Sequence, residues 1–137
     1  MKENKACIIP TMRYKNAGAA IEWLCNAFGF EKHLAVDGEN NTIVHAQLTY
    51  GNSMIMLGSE SENEYGKLVK SPESLDGTNT QAPYIIVEKI DEHYEKAMAH
   101  GAIILIEIKD EAHGGRAYTC RDIEGHIWNF GSYNPWT

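Results

Sequence analysis

Three polar side chains sit where apolar neighbours alternate with them: His45 and Gln47 in "IVHAQLTY" and Asn129 in "HIWNFGSY". In an extended strand, successive side chains point to opposite faces. Val44, Ala46, Leu48 and Tyr50 therefore share one face, and His45, Gln47 and Thr49 share the other. By the same count, Trp128 and Phe130 oppose Ile127, Asn129 and Gly131. If the polar faces line a concavity, His45, Gln47 and Asn129 can orient a ligand, with His45 as a possible acid or base. The alternative is a solvated sheet face. Met54 and Met56 would add soft apolar wall suited to an aromatic or aliphatic ligand. Arg13, Arg116 and Arg121 lie in strand contexts, and an arginine reaching the cavity could clamp a carboxylate or phosphate. Tyr118 could stack on a ligand, whereas Trp128 reads as core.

Other chemistry finds little support. His33, His93, His100, His113 and His126 have no metal-binding spacing and read as surface or turn residues. Cys120 has no neighbouring base in sequence and reads as a buried thiol. "HGGRA" lacks the long glycine loop and lysine of a phosphate cradle.

The elements that must hold these residues occur in a repeating order. "CIIPTMRY" reads as a strand, with Pro10 placing it at an edge or a bulge. In "NAGAAIEWLCNAFGF", Ile21, Leu24, Cys25 and Phe28 make one helical face, and Gly29 stops the helix. "FEKHLAVD", "TIVHAQLTY" and "SMIMLGS" follow as strands. The order then returns. "PYIIVEKI" is a strand, and "DEHYEKAMAHG" is a helix with Asp91 as N-cap, a buried side of Ile90, Tyr94, Ala97 and Met98, and Gly101 as its stop. "AIILIEI", "RAYTCRD" and "HIWNFGSY" are strands. Gly29 and Gly101 end the two helices, and Gly51 and Gly125 precede the two last strands. The pattern predicts an α+β fold of two βαβββ modules, residues 1–59 and 83–137. They should share a curved eight-stranded sheet or incomplete barrel, with helices outside and a concave cavity. Residues 60–82 lose periodicity and read as a linker or lid.

Composition narrows the partners. The formal net charge is −7 over 137 residues, with Lys and Arg totalling 12 against 19 Asp and Glu. There is no basic stripe, which argues against nucleic acid. The acidity leans towards a cationic partner. No apolar run near the start is long enough for a signal peptide or membrane anchor. Three cysteines without C-x-x-C spacing predict free thiols in a reducing cytoplasm.

The paired modules, "AAIEWLCNAFGFE" and "RDIEGHIWNFGSYNPW" together resemble the vicinal oxygen chelate superfamily of glyoxalase I, bleomycin resistance proteins and extradiol dioxygenases. The likeness spans about residues 7 to 133 and is nearest to small bacterial glyoxalase-like or PhnB-like proteins. It implies metal ligands on the first, fourth, fifth and eighth strands. In this sequence Asn129 stands at the last ligand position and Met56 at the fourth-strand position. The first-strand ligand falls near Ile9 or Pro10, and the fifth-strand one within Ala82 to Tyr84. A thioether and a neutral amide replace carboxylate or imidazole poorly, so no metal or other cofactor is expected. The resemblance also implies a homodimer. The expected ligand-binding set is His45, Gln47, Met54, Met56, Tyr118, Arg121 and Asn129. The expected activity is binding and sequestering a small molecule. A glyoxalase-like lyase or isomerase, or a dioxygenase-related enzyme, is the alternative.

Overall fold

A computed structural model describes residues 6–137. The first module comprises β1 (Thr11–Tyr14), α1 (Ala17–Phe28), β2 (Glu31–Asp37), β3 (Ile43–Tyr50) and β4 (Ser53–Ser59). The second comprises β5 (Tyr84–Ile86), α2 (Ile90–Ala99), β6 (Ile103–Asp110), β7 (Arg116–Arg121) and β8 (Ile127–Gly131). Each module forms a four-stranded sheet, ordered β1-β4-β3-β2 and β5-β8-β7-β6. The βαβββ pattern thus occurs twice, as expected. The curved sheets stay separate and do not close into a barrel.

α1 starts where the Asn16 side chain accepts the Ala19 N–H at 3.2 Å. It ends at Gly29, whose φ of 86° is left-handed and costs a glycine little. Its buried face is Ala17, Ala20, Ile21, Leu24, Ala27 and Phe28, while Cys25 is only half-buried. α2 differs from expectation. Lys89, not Asp91, precedes it, and Asp91 lies in its first turn. Its buried residues are Ile90, His93 and Ala97, and Met98 is exposed. The outer strands also differ. β1 begins only at Thr11, although the Pro10 carbonyl still accepts from Met56 N. In β3 the pairing with β2 skips Val44, which bulges out and is 60% exposed. A bulge inserts one residue and reverses the alternation beyond it, so Ile43 is buried with Ala46 and Leu48 in place of Val44.

One core serves both modules. Phe28 of α1 makes edge-on contacts with Trp128 and Phe130 of β8, at centroid distances of 5.5 and 4.7 Å. Trp128, Phe130, Tyr14 and Tyr118 are all essentially buried. Truncating such an aromatic costs about 3–5 kcal/mol, so neither module keeps its stability without the other. A buried acid ties the seam. Asp122 accepts from the Tyr14 hydroxyl (2.5 Å), the Trp128 indole (3.0 Å) and the backbone N–H groups of Glu124 and His126 (3.0 Å each). The Glu124 carboxylate takes the N–H groups of Lys15 and Asn16 at 2.6 and 2.7 Å, just ahead of α1.

Residues 60–82 are tethered. They form two short 3-10 turns, Tyr65–Lys67 and Pro72–Leu75. The Glu60 carboxylate accepts from Ser71 N at 2.6 Å and from the Ser74 hydroxyl. Asn79 accepts from Ile127 N at 3.1 Å and donates to the Gly125 carbonyl at 3.0 Å. Among the described residues, no helix is long and apolar enough to cross a membrane.

Candidate functional site

Strand alternation decides what lines each sheet's outer face. On β1, Met12 and Tyr14 enter the core, so Thr11 and Arg13 point the other way. On β4, Ile55 and Leu57 are buried, while Met54 and Met56 are half-exposed. On β3, His45, Gln47 and Thr49 take the outer face. On β7 and β8, Tyr118, Cys120, Trp128 and Phe130 go inward, leaving Thr119, Arg121, Ile127 and Asn129 outside.

At the seam of the modules lies a cavity of about 510 Å3. Its walls are the chain from Ile8 to Arg13, His126 and the first residue of β8, Ile127, and the tethered segment from Tyr65 to Pro83. A second hollow, about 240 Å3, shares Thr11, Met12, Arg13 and Tyr65 with it and adds His45, Met56 and Leu57. Tyr65 stands between the two. Its hydroxyl lies 3.4 Å from Thr11 Oγ1, and its ring lies 4.8 Å from the Arg13 guanidinium carbon. His126 Nε2 donates to the Arg13 carbonyl at 2.8 Å, which holds β1 against β8.

The expected ligand-binding residues separate. His45 and Met56 meet in the smaller hollow. Gln47 lies beside His45, with Nε2 3.1 Å from His45 Nε2, and Met54 lies farther along β4. Asn129 faces outward as expected, but its carbonyl oxygen accepts from Thr119 at 2.7 Å, and it walls neither cavity. His45, Gln47 and Asn129 therefore do not converge within one chain. Tyr118 belongs to the core. It is 1% exposed, its hydroxyl bonds His93 Nδ1 at 2.6 Å, and burial raises its pKa, so it is unavailable for stacking on a ligand. Arg121 is occupied by the carbonyls of Gly77 and Gly125, at 3.1 and 2.9 Å, and clamps the 60–82 segment instead of a ligand.

Thr11, Tyr65 and Lys70 are wall residues that sequence reasoning left out, and Arg13, weighed there as a possible clamp, was not placed in the expected ligand-binding set. For Arg13 a signal existed. It alternates with Met12 and Tyr14 in "TMRY", and it pairs across the ladder with Gly58, a residue too small to block it. No periodicity marks Tyr65 or Lys70, which belong to an irregular segment.

The glyoxalase/bleomycin resistance protein/dioxygenase superfamily model matches residues 9–130. The chain belongs to this superfamily. It is 26% identical to an uncharacterised protein of Mycobacterium tuberculosis over 122 residues, 89% of this chain and 71% of that one. Among solved structures, TioX from Micromonospora sp. ML1 is 26% identical with a TM-score of 0.73, covering 94% of this chain and 99% of that one. Fosfomycin resistance protein FosX from Listeria monocytogenes shares the fold at 16% identity and a TM-score of 0.64, over 98% and 97% of the two chains. A PhnB protein from Bacillus cereus does so at 15% and 0.63, over 90% and 97%.

Register shows which residues lie beside Met56 and Asn129, the two positions the resemblance marks for metal ligands. β1 runs parallel to β4 with Thr11 opposite Met56, and β5 runs parallel to β8 with Tyr84 opposite Asn129. Thr11, one residue beyond Pro10, is therefore the first-strand residue beside Met56. A hydroxyl, a thioether, a phenol and an amide do not fit the metals this superfamily uses, which take carboxylate or imidazole donors. Two of the four are also engaged: the Tyr84 hydroxyl donates to the Tyr133 carbonyl at 2.7 Å, and Asn129 accepts from Thr119. Among the described residues, no three His, Cys, Asp or Glu side chains converge as ligands.

Proposed function

We propose that this superfamily member binds a small organic molecule at the seam of its modules, without a resident metal, and acts by sequestering it. The observation that carries this reading is the seam cavity of about 510 Å3, a size suited to a small organic ligand. One wall is the 65–83 segment, held against β8 by Asn79 and against β7 by Arg121. Sequestration needs only such a recess. Metal-assisted chemistry would need ligands that Thr11, Met56, Tyr84 and Asn129 do not provide. A glyoxalase-like lyase or isomerase, or a dioxygenase-related enzyme, is the second reading. The observation favouring it is His45, which lies in the hollow beside Arg13 and could move a proton.

We also propose a homodimer in a reducing cytoplasm. Val44 is 60% exposed, Ile103 59%, Ile106 49%, and Leu34, Val36 and Leu105 44% each. Five of these six lie on the edge strands β2 and β6, and a second copy would cover such a band. Nothing in the charge pattern favours nucleic acid as a partner.

Elemental analysis after incubation with Ni2+, Zn2+, Mn2+ and Fe2+ and desalting tests the metal-free reading. Retention of about one metal per chain would overturn it. An Ile127→Trp change, which narrows the seam cavity, should weaken ligand binding while leaving the chain folded. Unchanged binding would place the site elsewhere. Turnover lost in His45→Ala, with binding kept, would favour the enzyme.

A further inference from the structure

The chain has three strand arginines, and they meet three different fates. Arg116 pairs with Asp110 at 3.0 Å and Asp91 at 3.2 Å. Arg121 is spent on two loop carbonyls. Arg13 has no carboxylate partner among the described residues. Its polar contact is Nη1 to the Ser59 carbonyl at 3.5 Å, the outer limit of a hydrogen bond. The guanidinium carbon lies over the Tyr65 ring, 4.8 Å from its centroid, a contact that uses none of the N–H groups. The group lies across Gly58. A Cβ there would collide with Nη1 and come within 2.8 Å of the Val44 carbonyl oxygen.

The surroundings of Arg13 run against the charge of the molecule. Asp and Glu outnumber Lys and Arg by 19 to 12 in the chain. Yet among the described residues neither the seam cavity nor the hollow beside it has a single Asp or Glu in its walls. The charged residues there are Arg13 and Lys70, and Lys70 forms no ion pair among the described residues. Thr11, Thr78, Thr80 and Gln81 add polar groups to the same wall. An unpaired, partly desolvated guanidinium favours the anion that completes its hydrogen bonds, and its planar fork matches a carboxylate or phosphate in bidentate fashion.

We propose that the seam site selects a small organic anion, with Arg13 holding its carboxylate, phosphate or phosphonate group and Lys70 supplying a second positive charge. This rests on the seam cavity being the binding site. It reverses the expectation from net charge: the acidic surface repels such ligands at long range, and the local pair of cations captures them.

The test is a titration of the full chain with phenylphosphonate, phenylacetate, neutral phenylacetamide and cationic 2-phenylethylammonium. Binding is followed by thermal shift and by the Arg13 Nε–Hε NMR resonance, assigned by its loss in Arg13→Lys. One or both anions should raise the melting temperature and move that resonance, and the amide and ammonium probes should do neither. Arg13→Lys keeps the charge but loses the fork, and it should weaken anion binding about tenfold. Arg13→Gln should abolish it, and Lys70→Gln should weaken it severalfold. Circular dichroism checks that each variant is folded. If neither anion moves the Arg13 resonance at about 20 mM, well above a millimolar Kd, the proposal is wrong. It is equally wrong if the ammonium probe binds as well as the anions, or if Arg13→Gln retains anion binding. Anion binding kept in Arg13→Gln but weakened in Ile127→Trp would leave the seam reading standing and remove the role given to Arg13. Binding unaffected by Ile127→Trp would remove the seam reading itself.

Discussion

The imidazole of His93 on α2 bonds the carbonyl oxygen of Phe28 at the end of α1, with Nε2 2.8 Å from that oxygen. A carbonyl can only accept, so Nε2 carries the proton. Nδ1 is then the acceptor for the Tyr118 hydroxyl at 2.6 Å. The neutral ring satisfies two buried groups at once. Burial pushes the His93 pKa below its ordinary 6.5, and nearby Lys96 also lowers it, while the Phe28 carbonyl acts in the opposite direction. The unfolded chain therefore binds this proton more readily than the folded one. The contribution of His93 to stability is full above pH 6.5 and is lost as pH falls towards the lower folded-state value.

Urea denaturation at a series of pH values should show stability decreasing as pH drops below about 6.5. His93→Gln, which cannot titrate, should be destabilised by about 1–3 kcal/mol at pH 7.5 and show a shallower decline. An unchanged slope in the variant would assign the acid sensitivity to other groups.

Asp122 is the acceptor on which the seam depends. Asp122→Ala would strand the Tyr14 hydroxyl and the Trp128 indole, both buried. The expected cost is about 3–5 kcal/mol by chemical denaturation. Asp122→Asn should be milder but still destabilising, because an amide NH2 would oppose some of the four donors. A loss below about 1 kcal/mol for Asp122→Ala would show that the seam holds without this hub.

Gly58→Ala should cost about 1–3 kcal/mol, since the new methyl meets the fixed Val44 carbonyl. It should also displace the Arg13 guanidinium, and the Arg13 Nε–Hε resonance should move without any ligand. A silent resonance would mean that Gly58 does not set the position of the arginine.

Thiol labelling should separate the three cysteines. Cys7 is exposed, Cys25 half-buried and Cys120 buried. Burial, with Asp122 nearby, pushes the Cys120 thiol up to about 12. Iodoacetamide at pH 8, read by mass spectrometry, should modify Cys7 first and Cys120 only after denaturation. Prompt modification of Cys120 in the folded chain would contradict its burial.

The two βαβββ modules, the face of α1 and the alternation in β4 and β8 were legible from residue order. Each follows from a period of 3.6 or 2 within a few consecutive residues. The bulge at Val44 was not, because a pairing irregularity depends on the partner strand. His93 was read as a surface residue because its two hydrogen-bond partners, Phe28 and Tyr118, lie 65 and 25 residues away. The site was legible only in part. His45 and Met56 do meet in one hollow, but Tyr118 is core, Arg121 is a loop clamp, and Asn129 lies apart from the cavity walls.

By itself, then, the amino-acid order determined the modules, their helices and which side of most strands turns inward, since burying an apolar face is a local demand. Only the tertiary structure decided what each polar residue does. Tyr14 and Asp122 meet across 108 residues, and folding brings Gly58 and Tyr65, rather than a carboxylate among the described residues, to the side of Arg13. A charge acquires a role from the company it keeps in space, and that company here is assembled from chain segments far apart in sequence.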